Sequence, residues 1–347
     1  MKRCKPRSPA NLERALRNKT IAMSILVTGA AGFIGSHVTR ALLARGETVL
    51  GIDNFSPYYD PVLKFARLKP LREMPGFTFV EADIADRDRI LALPGAHPDI
   101  ERIVHLAAQP GVRHSLQDPY VYVQTNVMGH LVMLELARQL GSLRHFVYAS
   151  SSSVYGGNRK QPFSVGDRVD HPVSLYAATK RSDELMSESY AHVHGLKATG
   201  LRYFTVYGPW GRPDMSPYIF ARAIHEGRLI RLFHNGAIRR DYSYIDDIVS
   251  GTLAVLDNPP AAPAHRVYNL GAARSEAVTH VVALFEKALG RTATIELEPG
   301  DPYDMVETAA DIAETTRDFG WTPAVSVEEG IPRFVEWFKE YNQLKPG

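Results

Sequence analysis

Tyr176 and Lys180 are the residues whose types and spacing carry the most specific chemistry in this sequence. They lie four positions apart near the start of a helical pattern at 173–194, so they share one helix face about a turn apart. A free phenol ionises near pH ~10, and its use at neutral pH requires about 4 kcal/mol of stabilisation for the phenolate. Because a neighbouring ammonium supplies such stabilisation, the pair predicts Tyr176 as a proton acid/base and Lys180 as its electrostatic partner.

A serine run supports this prediction. Ser150-Ser151-Ser152-Ser153 follows the fifth strand pattern, at the carboxyl edge of the predicted sheet, where ligands bind. A serine run by itself is usually a loop. In this position one hydroxyl is expected to relay a proton between a substrate and Tyr176.

A glycine-rich turn and an acidic residue predict a dinucleotide site. Gly29, Gly32 and Gly35 follow the first strand pattern and open a helix, so the backbone there can approach a pyrophosphate at the positive helix end. Asp53 ends the second strand 21 residues beyond Gly32, where a ribose-binding carboxylate belongs. That carboxylate accepts from the 2′-hydroxyl of NAD and repels the 2′-phosphate of NADP, so NAD is favoured; the alternative is that Asp53 only caps the strand. Asp83, after the third strand, is the candidate for the adenine edge.

Alternating strands and helices must position these residues. Short apolar, β-branched runs predict strands at Ser24–Thr28, Thr48–Asp53, 77–83, 102–106, 145–150 and 199–204. Helical patterns separate most of them, and the clearest is 118–140, because Asp118 can cap it, Pro119 suits its first turn and Gly141 ends it. The predicted fold class is therefore α/β: a Rossmann-type doubly wound parallel sheet with helices on both faces.

The alternation stops near residue 205 and divides the chain. A Gly/Pro-rich stretch leads to a helix, short strands and longer loops, and a strand–helix unit at 266–289 is expected to return to the main sheet. We predict an NAD-binding domain over residues 23–204, with segments about 240–290 returning to it. A smaller, discontinuous lobe, mainly residues 205–347, is expected to bind the substrate, with the site in the cleft between the lobes.

Composition limits the partners of this chain. The 347 residues carry a net charge of only +2, which argues against nucleic acid or an anionic membrane as the main partner. No apolar run approaches the ~20 residues that cross a bilayer. Cys4 is the single cysteine, so intrachain disulfides are excluded and a reducing cytoplasm is the expected location. No metal is expected, since the thirteen histidines show no ligand pattern and His192 and His194 point to different helix faces.

Residues 1–22 form a basic segment with seven lysines and arginines against one acid, Glu13. A short helix fits residues 11–17, and the segment lacks the apolar stretch of a secretory signal. We interpret it as a disordered extension that precedes a folded domain beginning at Met23. The alternative is a basic arm for an anionic partner.

These motifs together resemble the extended short-chain dehydrogenase/reductase superfamily, over nearly the whole chain from Met23 onward. Within that superfamily the sequence is most similar to UDP-glucuronate 4-epimerases. The closer similarity rests on the segments 53–60 (DNFSPYYD), 107–115 (AAQPGVRHS), 171–180 (HPVSLYAATK) and 204–215 (FTVYGPWGRPDM).

The resemblance implies an NAD-dependent interconversion of UDP-glucuronate and UDP-galacturonate. In this reaction Tyr176 removes the 4-hydroxyl proton while hydride passes to NAD⁺, the 4-keto sugar turns over, and hydride returns to its other face. NAD therefore stays bound, because there is no net redox change. Ser151 stands where the family places its proton-relay hydroxyl. The implied cofactor contacts are Gly29, Gly32, Phe33, Ile34, Gly35, Asp53, Asn54, Asp83, Ile84, Leu106, Ala107, Ala108, Asn126, Tyr176, Lys180 and Tyr203.

Three positions distinguish this chain from related families. Dehydratases carry Asp-Glu immediately before the Val-Tyr-Gly motif, and UDP-glucuronate decarboxylases carry Glu directly before its valine, where this chain has Ser152 and Ser153. UDP-glucose 4-epimerases usually have Asn in place of Thr205. Oxidation at carbon 4 of a 6-carboxylate sugar makes a β-keto acid that readily loses carbon dioxide, so an epimerase must orient and pair the carboxylate. We hypothesise that Ser152, Ser153 and Thr205 hydrogen-bond this carboxylate, with Arg113 or Arg212 nearby.

The resemblance also implies contacts to the nucleotide and a partner subunit. It places Arg240 on the diphosphate and Asp301 on the uridine; the alternative for Arg240 is a solvated strand end, and Glu298 replaces an arginine that many relatives carry. Relatives commonly dimerise through two helices per subunit. The patterns at 118–140 and 173–194 suit such a homodimer, although the same apolar stripes could face the core.

Two other functional classes stay open. One is a neutral UDP-hexose 4-epimerase or a UDP-glucuronate decarboxylase of the same fold, which product analysis distinguishes. The other is a non-catalytic NAD-sensing protein, a class that typically lacks the Tyr–Lys pair retained here.

Overall fold

The computed structural model describes residues 23–300 and 305–344. The predicted short helix at 11–17 and the predicted contact Asp301 lie outside the described residues. The strands are β1 (Ser24–Thr28), β2 (Thr48–Asp53), β3 (Phe77–Glu81), β4 (Ile100–His105), β5 (His145–Ser151), β6 (Ala198–Tyr203), β7 (Thr205–Tyr207), β8 (Leu229–Leu232), β9 (Arg239–Arg240), β10 (Tyr242–Tyr244), β11 (His265–Leu270), β12 (Glu276–Ala277) and β13 (Thr294–Leu297). The helices are α1 (Phe33–Ala44), α2 (Val62–Arg72), α3 (Arg87–Leu91), α4 (Leu93–Ala96), α5 (Pro119–Tyr122), α6 (Gly129–Gln139), α7 (Leu175–His194), α8 (Ser216–Glu226), α9 (Ile245–Leu256), α10 (Val278–Leu289), α11 (Ala313–Phe319) and α12 (Val327–Tyr341).

Seven strands form one parallel sheet in the order β3-β2-β1-β4-β5-β6-β11. The order reverses between β1 and β4, where Thr28 pairs with His105 and their side chains hydrogen-bond at 2.7 Å. Open α/β sheets bind ligands beyond the carboxyl ends of their strands at such a reversal. The predicted Rossmann-type parallel sheet is confirmed, and β11 joins it from the carboxy-terminal half of the chain.

Alternate residues of each strand face opposite layers of the core. In β1, Ile25 and Val27 belong to one buried cluster with residues of α1 and α9, whereas Leu26 belongs to another with residues of α6. Strands covered on both faces are therefore apolar almost throughout, as the sequence indicated.

The predicted helix at 118–140 is interrupted. The Asp118 carboxylate caps α5 as expected, but a π-helical turn, Val123–Met128, separates α5 from α6. Buried Asn126 lies in this wider turn, and its side-chain amide accepts from the Gln109 backbone N–H and donates to the Gln109 carbonyl. The helix ends at Leu140, whose backbone is extended, and not at Gly141. A sequence period cannot reveal a local change from α to π winding.

Helix α7 begins at Leu175, two residues later than the sequence pattern indicated. The Ser174 hydroxyl accepts from the Ala177 backbone N–H at 3.1 Å and caps the helix. Gly195, with φ of +67°, ends the helix in the left-handed conformation that glycine adopts without strain. Helix α7 packs against β5.

Residues beyond β6 form three further two-stranded sheets, in which β7 pairs with β10, β8 with β13 and β9 with β12. Helices α8, α10 and α12 pack together around aromatic side chains such as Phe285 and Phe334, whose ring centroids are 5.6 Å apart.

No helix among the described residues is long and apolar enough to cross a membrane. In the same part of the chain, no group of three or more His, Cys, Asp or Glu side chains is arranged to hold a metal ion.

Candidate active site

A cavity lies at the carboxyl ends of β1, β2, β4 and β5, on the reversal of the sheet. The predicted site residues that line it are Gly29, Gly32, Phe33, Ile34, Gly35, Asp53, Asn54, Asp83, Ile84, Leu106, Ala107, Ala108, Ser151, Tyr176, Lys180, Tyr203 and Arg212. Residues predicted separately for cofactor, proton transfer and substrate are therefore brought together in one cavity.

The glycine turn after β1 has the geometry that a dinucleotide requires. A Cβ atom on Gly35 would lie 2.0 Å from the Gly29 carbonyl oxygen, and one on Gly29 would lie 2.9 Å from the Ala107 backbone nitrogen. Gly29 also has φ of +72°. The N-cap of α1 is Gly32, so no side chain caps the first N–H groups and the first turn holds no acid. These N–H groups fit the negative pyrophosphate of NAD.

Asp53 is held at the end of β2 by two backbone hydrogen bonds. Its carboxylate accepts from Ala31 N–H at 3.1 Å and from Phe55 N–H at 2.9 Å. Lys64 of α2 lies 3.6 Å from the same carboxylate and is buried. The residues next to Asp53 in sequence offer no cation, so only the packing of α2 reveals this one.

Asp83 lies next to Asn54 at the same edge of the sheet. The Asn54 amide donates to the Asp83 carboxylate at 2.9 Å. Strand β3 ends at Glu81, two residues before the predicted end, so Asp83 belongs to the loop after the strand. The Asp83 carboxylate accepts a hydrogen bond there from Ala85 N–H at 2.8 Å.

Tyr176 and Lys180 face the cavity from the first turns of α7. The Tyr176 ring is half-buried and meets the edge of the Tyr122 ring at 6.2 Å. The Lys180 ammonium is buried, and it donates to the Ala149 carbonyl at 2.9 Å and to the Asp183 carboxylate at 3.1 Å. With two of its three protons engaged, the ammonium is held on the cavity side of α7.

A second set of buried charges anchors α7 to the sheet. Glu184 accepts from Arg202 at 2.8 and 2.9 Å and from the Ser150 hydroxyl at 2.6 Å. Although burial opposes its ionisation, Arg202 holds the pKa of Glu184 below its usual value. Because β6 carries Arg202 and β5 carries Ser150, the hydrogen bonds of Glu184 fix α7 against both strands.

Two serines of the run, Ser150 and Ser151, reach the cavity. The Ser151 hydroxyl accepts from Ser153 N–H and donates to the Ser153 hydroxyl, both at 3.2 Å. Ser152 and Ser153 open the short helical turn Ser152–Tyr155. They are half-buried, and neither lines the cavity.

Four other predicted contacts stand away from the cavity lining. Thr205 is half-buried at the start of β7, where its N–H donates to the Asp241 carbonyl. Asn126 is buried behind the lining. Arg113 extends over the Phe233 ring, with 4.6 Å from guanidinium to ring centre. Arg240 donates to the Arg239 and Val306 carbonyls at the edge strand β9.

Sequence reasoning missed several residues that line the cavity. The most informative are Tyr58, Tyr59 and Lys64, which follow β2. Tyr58 donates its hydroxyl to the Asp214 carboxylate at 3.0 Å, across 156 positions of sequence. The distinctive segment 53–60 contains both tyrosines, but its sequence does not indicate which residue Tyr58 contacts.

Comparisons with known proteins agree with this geometry. Residues 25–271 match the model of the NAD dependent epimerase/dehydratase family. A probable UDP-glucuronate 4-epimerase of Rhizobium meliloti is 44% identical over 339 residues, covering 92% of this chain and 97% of the relative. UDP-glucuronate 4-epimerase 2 of Arabidopsis thaliana is 43% identical over 333 residues, covering 92% of this chain and 76% of the relative.

A solved structure is also similar over nearly the whole chain. UDP-glucuronic acid 4-epimerase from Bacillus cereus, in complex with UDP-glucuronic acid and NAD, matches with a TM-score of 0.86 and 34% identity, covering 92% of this chain and 100% of that one. The family match spans more than half of the chain, and its first and last matched residues enclose the glycine turn, Asp53, Tyr176 and Lys180. The chain therefore belongs to the NAD-dependent epimerase/dehydratase family of the extended short-chain dehydrogenase/reductase superfamily.

Proposed function

We propose that this chain is an NAD-dependent 4-epimerase that interconverts UDP-glucuronate and UDP-galacturonate through a transient 4-keto sugar. One observation carries the proposal: Tyr176, Lys180, Ser151 and Arg212 line the same cavity as the glycine turn. A proton acid/base, a cofactor cradle and a cation for a carboxylate therefore meet at one place.

The cofactor is held by residues of the sheet edge. The uncapped N-terminus of α1 binds the pyrophosphate and Asp53 binds a ribose hydroxyl. When bound, NAD accepts a hydride from carbon 4 of the sugar and returns it. Lys180 lies on the same side, where its remaining proton can be donated to a ribose hydroxyl or to Tyr176.

Tyr176 moves the proton of the sugar 4-hydroxyl. The buried Lys180 ammonium, oriented by Ala149 and Asp183, favours the phenolate through its positive charge. Ser151 is placed at the end of β5 to relay the proton between the hydroxyl and Tyr176. The same phenol gives the proton back after the keto sugar has turned, so each group ends the cycle in its starting state.

Arg212 is the cation for the sugar carboxylate. It lines the cavity with Tyr176, whereas Arg113 is directed to Phe233. Ser152, Ser153 and Thr205 lie outside the cavity lining, and our proposal is that they hydrogen-bond the carboxylate when the sugar is bound. Because Ser152 and Ser153 stand where other family branches carry acids, the site has no group there for loss of water or carbon dioxide.

The remaining assignments concern the nucleotide, the lobes and the assembly. Residues 23–204 bind NAD, with segments about 240–290 returning to that domain, and residues 205–347 mainly bind the UDP-sugar. Arg240 contacts the diphosphate and Asp301 the uridine. The enzyme is cytoplasmic, as expected of a chain whose single cysteine cannot form an intrachain disulfide.

The assembly is a homodimer. Large apolar side chains are exposed on α5, on the π-helical turn and on α7: Tyr120, Val123, Met128, Leu185 and Val193. Helix α7 contacts both α5 and the π-helical turn, and two copies of this face can bury these side chains in a four-helix arrangement.

The test is incubation of the purified protein with UDP-glucuronate and no added cofactor, with the products separated by chromatography. UDP-galacturonate without net NADH is the expected result, and Tyr176→Phe should slow its formation about 10²–10⁴-fold. Tyr190→Phe, on the same helix with its hydroxyl on Glu135, is the matched control. UDP-xylose as product would assign the chain to the decarboxylases. Turnover of neutral UDP-hexoses alone would contradict the role of Arg212.

A further inference from the structure

Tyr58, Asp214 and Arg212 form a connected chain of side chains at the cavity wall. The Tyr58 hydroxyl donates to Asp214 Oδ2 at 3.0 Å. Arg212 donates from Nε to Asp214 Oδ1 at 3.0 Å and from Nη2 to Asp214 Oδ2 at 2.5 Å. Tyr58 and Arg212 both line the cavity that contains Tyr176.

The position of Tyr58 is also fixed by the segment between β4 and α5. A Cβ atom on Gly111 would lie 2.4 Å from the Tyr58 hydroxyl oxygen, so only glycine leaves room for it there. The Tyr58 ring also packs against the His114 ring at 4.9 Å between centroids. Burial and the neighbouring Asp214 raise the pKa of Tyr58, so the phenol remains a hydrogen-bond donor throughout the neutral range.

Asp214 already occupies the binding fork of Arg212. A bidentate guanidinium–carboxylate pair is among the stronger protein hydrogen-bond arrangements. Although burial acts against both ions, their contact holds the pKa of Asp214 below and that of Arg212 above their usual values. A sugar carboxylate therefore meets an arginine whose charge is balanced by an internal carboxylate.

This arrangement meets a need of the proposed reaction, on which the inference rests. The keto sugar must turn between its oxidation and its reduction, so the binding of its carboxylate must be reversible. The carboxylate would dissociate more slowly from an arginine with no internal partner. Asp214 offers Arg212 a second partner, and Tyr58 draws charge from the Asp214 oxygen that Nη2 contacts, which weakens that internal pair.

We propose that Tyr58 and Asp214 are positioning residues that set how strongly Arg212 binds the carboxylate of a UDP-uronate. Asp214 competes with the sugar carboxylate, and Tyr58 moderates this competition. A neutral UDP-hexose has no carboxylate and does not compete with Asp214 for Arg212. Tyr58 and Asp214 therefore change the selectivity between sugars and leave the affinity for the UDP portion unchanged.

The proposal predicts shifts of opposite sign for two adjacent variants. Asp214→Asn removes the competing charge, so the ratio of the dissociation constants of UDP-glucose and UDP-glucuronate should rise roughly tenfold. The kcat for UDP-glucuronate should fall, because the carboxylate is released more slowly. Tyr58→Phe leaves Asp214 as a stronger competitor, so the ratio should fall roughly three- to tenfold.

The dissociation constants are measured by calorimetry on the NAD-loaded full chain carrying Tyr176→Phe, so that no turnover intervenes. The kcat values are measured with Tyr176 present. A fraction of unfolded protein removes sites for both ligands equally and leaves the ratio unchanged. The matched control is the tyrosine–aspartate–arginine set of Tyr268, Asp318 and Arg317, which has the same hydrogen bonds outside the cavity lining. Tyr268→Phe and Asp318→Asn should not change the ratio.

Outcomes for the two proposals are separable. If the wild type makes no UDP-galacturonate, the proposed function fails whatever the variants do. If the wild type epimerises UDP-glucuronate but Asp214→Asn and Tyr58→Phe shift the ratio in one direction, or do not shift it, only the positioning role is overturned.

Discussion

At the scale of single residues, the charge beneath Lys180 is the least expected feature of the site. Asp183 is fully buried and pairs with the Lys180 ammonium, and its second carboxylate oxygen has no hydrogen-bond partner among the described residues. Burial raises the pKa of Asp183 to about 7, although Lys180 acts in the opposite direction. Buried His130 lies on the neighbouring helix α6, and burial lowers its pKa well below the usual value. Burial therefore brings the ionisation of Asp183 close to neutral pH.

This carboxyl links stability to pH. Its folded-state pKa lies above the ~3.9 of an unfolded chain, so the folded state retains the proton, and the stabilisation is lost as pH rises through about 7. Asp183→Asn removes the ionisation. Between pH 5.5 and 8.5 the variant should gain about 2 kcal/mol relative to the wild type, a few degrees in Tm.

The measurement is thermal unfolding of both proteins at the two pH values in saturating NAD. Asp318→Asn is the control, because Arg317 holds the pKa of Asp318 below its usual value and this carboxylate is ionised at both pH values. An unchanged difference between Asp183→Asn and wild type would show that Asp183 does not titrate in this range.

At the scale of elements, the turn between β1 and α1 is the proposed binding site of the cofactor pyrophosphate. Gly35 is in the first turn of α1, and a Cβ atom there would lie 2.0 Å from the Gly29 carbonyl oxygen and 2.7 Å from its carbon. Both atoms belong to the backbone, so the turn itself must move to accept a side chain. Any such movement displaces the N–H groups that we propose as the binding site of the pyrophosphate.

Gly35→Ala should therefore reduce NAD retention. We expect the wild type to release close to one NAD per chain on denaturation, and the variant to release less than about a tenth of that, which corresponds to at least ~1.4 kcal/mol of lost binding. The control is Gly141→Ala, where a Cβ atom has no neighbour within 4 Å. Full NAD content in a folded Gly35→Ala protein would place the pyrophosphate away from this turn.

At the scale of the whole molecule, the exposed apolar residues of the helices near the site predict the assembly. Leu185 is 54% exposed on α7, the helix that carries Tyr176. Dimerisation through this face would bury Leu185 and would tie the position of α7 to the partner subunit. A charge placed there would be buried without a partner, which is costly.

Leu185→Arg should convert the dimer to a monomer in light scattering after size-exclusion chromatography. The control is Leu297→Arg, because Leu297 is 56% exposed, nearly the same fraction, but lies on β13, which pairs with β8 outside the seven-stranded sheet. We expect this control to remain dimeric. A monomeric wild type, or a Leu185→Arg variant that stays dimeric, would contradict the assignment of this face.

The sequence by itself determined the features that depend on local spacing. The glycine turn, Asp53 at a strand end and the four-residue interval of Tyr176 and Lys180 are encoded by helix and strand geometry, which short stretches of sequence express. The structure also confirmed the predicted parallel sheet. This sheet was predictable because apolar runs that alternate with helical patterns leave few ways of packing.

The tertiary structure decided contacts between segments that are distant along the chain. It placed Arg212, and not Arg113, in the cavity lining, and it joined Tyr58 to Asp214 across 156 positions. It also put Lys64 beside Asp53. Such contacts depend on how loops from different strands converge at one sheet edge, and no period or spacing in the sequence specifies that convergence.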